Sequence, residues 1–262
     1  MSAQQERQTI DVSAVAGGWP SPWPNVAELA EALPRHSWTL VGGLMTQLHT
    51  MHHGLGVLRP TNDVDIVLHI ETRRGVPDAT ATALEGLGYE LQISIDPHAN
   101  TAHRFVRGHS AVDVVTGTPE QVDVLIADHP APKVIGKLRG REIVQIDGGT
   151  QALRRTVNAR IRIAPATTTT TSVPRPFGAL VLKAAAYITD SRDRDRHLYD
   201  AAALLACIDD PFTERAEFAG SDKRRIATLA ERLAPTHSAW QALDRVARDQ
   251  AQTALSILSS AE

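Results

Sequence analysis

Apolar residues recur along this chain with two periods, one of two residues and one of three to four, and the change between them divides it. A short apolar run from Ser37 to Val41 stops at Gly42-Gly43, and from Asp63 to Ile70 the residues alternate, Asp63, Asp65 and Val67 against Val64, Ile66 and Leu68. Such alternation belongs to a strand, whose side chains project to opposite faces in turn. Similar runs predict strands over Tyr89 to Ile95, Ala102 to Arg107, Ala111 to Val115, Val122 to Ile126 and Arg141 to Ile146. Between them, Leu44, Leu48 and Met51 carry a helical spacing that predicts a helix from Leu44 to His53, ended by Gly54 and Gly56; a second, Thr80 to Leu87, closes at Gly88.

At the start, Asn25 is suited to cap a short helix from Val26 to Leu33. The preceding Trp19-Pro20-Ser21-Pro22-Trp23-Pro24 is too rich in proline for helix or internal strand, so residues 1–24 read as an extended arm. Near the middle, five consecutive threonines, Thr167 to Thr171, stand between prolines, and this shift in composition reads as a linker over 166–176. Beyond it the helical period takes over, in Phe177 to Asp190, His197 to Ile208, Asp222 to Leu233 and Ser238 to Ser259. The expected fold is therefore α+β, with a sheet domain over 25–165 followed by a helical domain over 177–262.

Composition narrows the function classes. With 262 residues, 42% of them hydrophobic and 22% charged, the chain suits one or two domains with real cores. Its formal net charge of −3 does not mark a nucleic-acid binder, although a basic face can sit within a neutral total. The single cysteine, Cys207, excludes an internal disulfide and a cysteine-based zinc site within one chain. Met1 to Asp11 lacks the apolar segment of a signal peptide, and no run approaches the ~18 apolar residues of a membrane span, so a cytoplasmic protein with no membrane partner is expected. No P-loop pattern is present. His49, His52 and His53 fall on one predicted helix, but without a neighbouring carboxylate they read as a polar face rather than a zinc site. Arg192-Asp193-Arg194-Asp195-Arg196 alternates in sign, as solvated loops do, and could also meet a phosphate backbone.

The chemistry is concentrated in Leu40-Val41-Gly42-Gly43-Leu44 and in Arg59-Pro60-Thr61-Asn62-Asp63-Val64-Asp65-Ile66. Two glycines between a strand and a helix let backbone approach phosphate oxygens, and the helix N-terminus adds free N–H groups. Asp63 and Asp65, two residues apart on one strand, share a face, and two such carboxylates can hold a pair of magnesium ions for displacement at a phosphorus. Lys183 stands among Leu180, Val181, Leu182, Ala184, Ala185 and Ala186, and such an isolated charge either serves a specific anion or reaches out to solvent.

On these residues the sequence resembles the nucleotidyltransferase superfamily related to DNA polymerase beta, and within it the AbiEii/AbiGii-type toxin branch. Leu40 to Leu68 is similar to the family pattern of two glycines followed by Arg-x-Ser/Thr-x-Asp-hydrophobic-Asp, with a longer gap between Gly43 and Asp63. The resemblance implies a mixed sheet, two magnesium ions and transfer of NMP from an NTP to a hydroxyl, with an RNA acceptor such as a tRNA 3′ end, a toxin role and a cognate antitoxin. A small molecule such as an aminoglycoside, or a protein, is the alternative acceptor, and an idle binding module is the alternative of another class. It implies Asp63 and Asp65 as catalytic metal ligands, and Gly42, Gly43, Arg59, Lys183 and Asp200 as nucleotide-binding. A third carboxylate is implied from a neighbouring strand. Asp113 and Asp123 both stand inside apolar runs, and Asp123 is favoured because its strand is longer, more apolar and clearly ended. In Arg196-His197-Leu198-Tyr199-Asp200, His197 replaces the first of the two acids that the branch carries there.

Overall fold

The computed structural model describes residues 7–13, 18–93, 100–108, 119–129, 136–164 and 167–260. In chain order, its first half contains β1 (Thr9–Val12), α1 (Trp23–Ala32), β2 (Trp38–Val41), α2 (Gly42–His52), β3 (Asp63–Leu68), α3 (Val76–Gly86) and β4 (Glu90–Leu91). Then follow β5 (Thr101–Ala102), β6 (Arg104–Arg107), β7 (Glu120–Ala127), β8 (Lys137–Leu138), β9 (Arg141–Ile143) and β10 (Gln145–Ile146). The second half has α4 (Gly149–Leu153), β11 (Thr156–Ala164), β12 (Thr167–Pro174), α5 (Pro176–Thr189), α6 (Asp195–Leu205), α7 (Pro211–Ala216), α8 (Asp222–Arg232) and α9 (Arg245–Ser259).

The fold is α+β with mixed sheets. The largest sheet runs β2-β3-β7-β6-β4, with β10 added to the far end of β7. β3 and β7 are parallel, whereas β2 and β6 flank them antiparallel. Their register follows from burial. Val64 and Ile66 of β3 and Val122 and Val124 of β7 are fully buried, and each such side chain contributes about 1.5–3 kcal/mol. A slip of one residue would turn all four out of the core and the intervening aspartates into it. Val67 is buried too, so the carboxylate-bearing face of β3 is covered beyond Asp65 and open only at Asp63 and Asp65.

Two segments differ from the sequence-based expectation. Residues 166–176 are not a linker: Thr167–Pro174 is the strand β12, antiparallel to β11, with Thr169, Thr171 and Ser172 buried. Threonine is β-branched and favours a pleated, half-buried surface, so the shift in composition marked a strand rather than a boundary. The stretch 1–24 is not wholly an extended arm: β1 pairs in parallel with β11, giving the sheet β1-β11-β12, and helix α1 already begins at Trp23. Pro24 stands in the first turn of α1, where its missing N–H costs nothing. Asn25 is thus inside the helix, not its cap, and its amide donates to the Tyr89 hydroxyl at 2.6 Å.

Smaller differences have local causes. Of the strand expected over Tyr89 to Ile95, Glu90–Leu91 pairs as β4, and residues 94–95 lie outside the described residues. Ala102 to Arg107 is broken at His103 into β5 and β6, which belong to different sheets. The run Ala111 to Val115, with Asp113, lies outside the described residues. The segment expected as one helix from Ser238 is a 3-10 turn, Ser238–Ala242, followed by α9, because the Asp244 carboxylate accepts from Ala247 N–H and starts a new helix. Helix α7 begins with Asp210 accepting from the N–H groups of Phe212 and Thr213, ahead of Pro211 in the first turn.

The helices after β12 and the strands before it share one hydrophobic core. Charged contacts also cross between them. Arg155, just before β11, donates to Asp222 of α8 at 2.8 Å, with both side chains buried. The Asp128 carboxylate, just past β7, lies 4.0 Å from Arg225 of α8 and also accepts from the N–H groups of Gly148 and Thr150 at the start of α4.

Candidate active site

The floor of the site is made where β3 and β7 run side by side. In their register Asp65 stands directly beside Asp123, and Asp63 beside Gln121. One carboxylate oxygen from each of Asp63, Asp65 and Asp123 lies within 4.8 Å of the others. Among the described residues this is the one convergence of three side chains able to hold a metal ion. The favoured third carboxylate therefore meets the pair on adjacent strands, while Asp113 is outside the described residues.

The two glycines make room for this floor. Gly42 has φ +70, and a Cβ built there would lie 1.7 Å from Asp65 Oδ2. A Cβ on Gly43 would lie 2.6 Å from Thr61 Oγ1. Gly42 is needed both for a left-handed backbone and for the close approach of a carboxylate to the start of α2. The close neighbour is thus Asp65 itself, rather than only the phosphate that the sequence pattern suggested.

Three like charges this close repel strongly, and each is accommodated differently. Burial, reinforced by Asp63 and Asp123, pushes the Asp65 carboxyl up to about 7. Asp63 accepts the Thr61 hydroxyl at 2.6 Å. Asp123 is held by Arg104 of β6, whose Nε and Nη2 donate to its two oxygens at 3.0 Å each; Gln121 adds a donor at 3.2 Å. The donor set is all oxygen, the kind magnesium prefers, and a divalent cation would relieve the repulsion that raises Asp65. By both tests the three residues suit a magnesium ion.

Above this floor opens a cavity of about 970 Å³, with a cationic far wall. Lys183 of α5 is buried and lies 2.7 Å from Asp200 of α6. Arg59 donates through Nε and Nη2 to both oxygens of the same carboxylate at 3.0 Å. Burial disfavours the Asp200 charge, but Lys183 and Arg59 together hold its carboxyl below the ordinary value. Lys183 thus has an internal partner and also lines the cavity, close enough to Asp65 to oppose its rise. With Arg192 and Arg196 beside Asp190 and Asp193, the wall sets four cations against three anions, a small excess of positive charge.

The turn between α5 and α6 completes the wall. Asp190 accepts from the backbone N–H groups of Arg192 and Asp193 and lies 3.1 Å from His197 Nε2; the Arg192 N–H is foremost in keeping its carboxyl well below the usual range. Arg192 and Arg196 line the cavity, so part of the alternating segment 192–196 borders the site. His197, where the resembled pattern has an acid, lines it too and is held below its ordinary pKa, first by burial and then by Lys183.

Sequence reasoning did not single out Arg104, Gln121 or Thr61. Thr61 was within the quoted pattern, but nothing along the chain reveals that β6 lies beside β7 with Arg104 opposite Asp123. The histidines at the end of α2 and just past it do not converge: His49 Nε2 donates to the carbonyl of Pro174 at 2.7 Å, while His53 Nδ1 turns to the His49 carbonyl and His52 Nδ1 to that of Asp11.

Compared with known proteins, the chain matches no family model, no curated protein and no solved structure. Among the described residues no helix is long and apolar enough to cross a membrane.

Proposed function

We propose that this chain is a magnesium-dependent nucleotidyltransferase that moves NMP from an NTP to a hydroxyl. The observation that carries the reading is the meeting of Asp63, Asp65 and Asp123 on two adjacent strands, on the floor of a cavity whose far wall is cationic. Magnesium, when bound by these three carboxylates, would supply neutralising charge for a triphosphate and a pentacoordinate phosphorus. Lys183, Arg59, Arg192 and Arg196 bind and orient the phosphates from the opposite side, and Gly42 and Gly43, which open α2, line the same cavity. The acceptor hydroxyl attacks the α-phosphorus, the bond to the β-phosphate oxygen breaks, and pyrophosphate leaves. The hydroxyl proton passes to a floor carboxylate.

For the acceptor we favour RNA, such as a tRNA 3′ end, in a toxin-like protein with an antitoxin partner, on the sequence resemblance alone. A second reading, an idle binding module, has one observation in its favour: Arg104 already satisfies both oxygens of Asp123.

The test supplies each of the four α-labelled NTPs with magnesium and offers total RNA, aminoglycosides and proteins as acceptors. Label on one acceptor class, lost by about 10³ or more in Asp63→Ala, is expected, because charge stabilisation supplies most of the rate. Absence of label on every acceptor with all four NTPs contradicts transfer and favours the idle module.

A further inference from the structure

Arg104 is unlike the other cations of the site. Lys183 and Arg59 belong to the far wall and share Asp200, whereas Arg104 stands on β6, in register with Asp123 and on the edge of β7 opposite Asp65. Its guanidinium takes both Asp123 oxygens in the two-pronged geometry that makes an arginine–carboxylate pair strong. It also lies in the attractive field of Asp63 and Asp65. A positive charge therefore already sits beside the third carboxylate, on the atoms that a divalent cation needs. Asp123 is almost buried, at 10% side-chain exposure, while Arg104 is 40% exposed and lines the cavity.

We infer that Arg104 is a positioning residue that competes with a divalent cation for Asp123 and so sets the cation affinity of the floor. This rests on the reading of the floor as a metal site. With Arg104 in place, Asp63 and Asp65 are open to an ion, and Asp123 offers it oxygens that a guanidinium already engages. Asp123 joins the ligands when the guanidinium turns to another anion, and a phosphate group entering the cavity has the matching geometry. Arg104 thereby ties occupancy by the cation to arrival of the phosphate.

The experiment measures Mn²⁺ affinity, from the electron paramagnetic resonance signal of the free ion, in wild type, Arg104→Met, Arg104→Gln and Arg104→Met/Asp123→Asn, with melting curves on each. Release of Asp123 should tighten Mn²⁺ binding ~10-fold or more in either single variant, as expected for removing a charged hydrogen-bonded competitor. The double variant should lose that gain. Arg104→Gln keeps the test open if the methionine variant does not fold. A merely structural arginine would lower the melting temperature and leave Mn²⁺ affinity unchanged or weaker, which overturns the inference alone. No Mn²⁺ binding by any variant at millimolar concentration overturns the metal-site reading and the inference with it.

Discussion

At the scale of single residues, the site stores electrostatic tension in Asp65. Its carboxyl, raised to about 7 by burial and by Asp63 and Asp123, keeps its proton in the folded protein at pH values where the unfolded chain has lost it. The metal-free protein should therefore lose stability as pH rises from about 4 through 7. His49 acts with the opposite sign: burial lowers it to about 4, so its contribution is lost as pH falls below the ordinary histidine value. Comparing wild type with Asp65→Asn isolates the first effect. In chelator at pH 8 the asparagine variant should be more stable by of order 2 kcal/mol, the gap narrowing toward pH 5. Magnesium should stabilise wild type more as pH rises and leave the variant unmoved. Denaturant melts at the two pH values check this, and parallel profiles for the two proteins contradict it.

Asp200 is the second residue whose role is measurable. Among the described residues it alone pairs with both Lys183 and Arg59, so Asp200→Ala leaves two cations without their shared anion, one of them buried, and should cost about 3 kcal/mol in chemical denaturation. Lys183→Met leaves Asp200 still gripped by Arg59 at two atoms and should cost about 1 kcal/mol or less. Equal losses would mean that Arg59 does not hold the carboxylate in solution.

At the scale of elements, the β2–α2–β3 unit was legible in the sequence because everything that defines it is local. The glycines, the alternation of β3 and the helical spacing of α2 fall within Trp38 to Leu68. Asp123 was found because it stands in an unmistakable apolar strand, but its place beside Asp65, like that of Arg104 beside Asp123, depends on pairing between strands distant in sequence. The threonine run misled for a physical reason: repetition and flanking prolines resemble a linker, while β-branching suits the strand that it forms. The two assignments have different consequences. One glycine inserted after Thr169 would be harmless in a linker, but in β12 it shifts the register against β11 and turns the buried Thr171 and Val173 outward. A loss of at least about 2 kcal/mol is expected, and an unchanged melting temperature would contradict the pairing.

At the scale of the whole molecule, the sheet and the C-terminal helices are joined through the site. Asp200 and Lys183 come from helices after β12, Arg59 from the loop before β3, and the floor from β3 and β7. Arg155 with Asp222 adds a second buried tie. A division at 166–176 would cut the β1-β11-β12 sheet as well as both ties, so the segment 177–262 expressed alone should lack cooperative unfolding. Removal of residues 1–24 should also be costly, because it takes away β1 and the buried Trp23, whose indole N–H donates to Gln47 of α2. The central claim is that the three carboxylates and the cationic wall hold one triphosphate together with divalent ions. Titration calorimetry with each of the four NTPs, in magnesium and in chelator, on wild type and Asp63→Ala tests it most directly. Binding of at least one NTP that needs magnesium and disappears in the variant is the expected result; no binding, or binding indifferent to chelator and to Asp63, would contradict it.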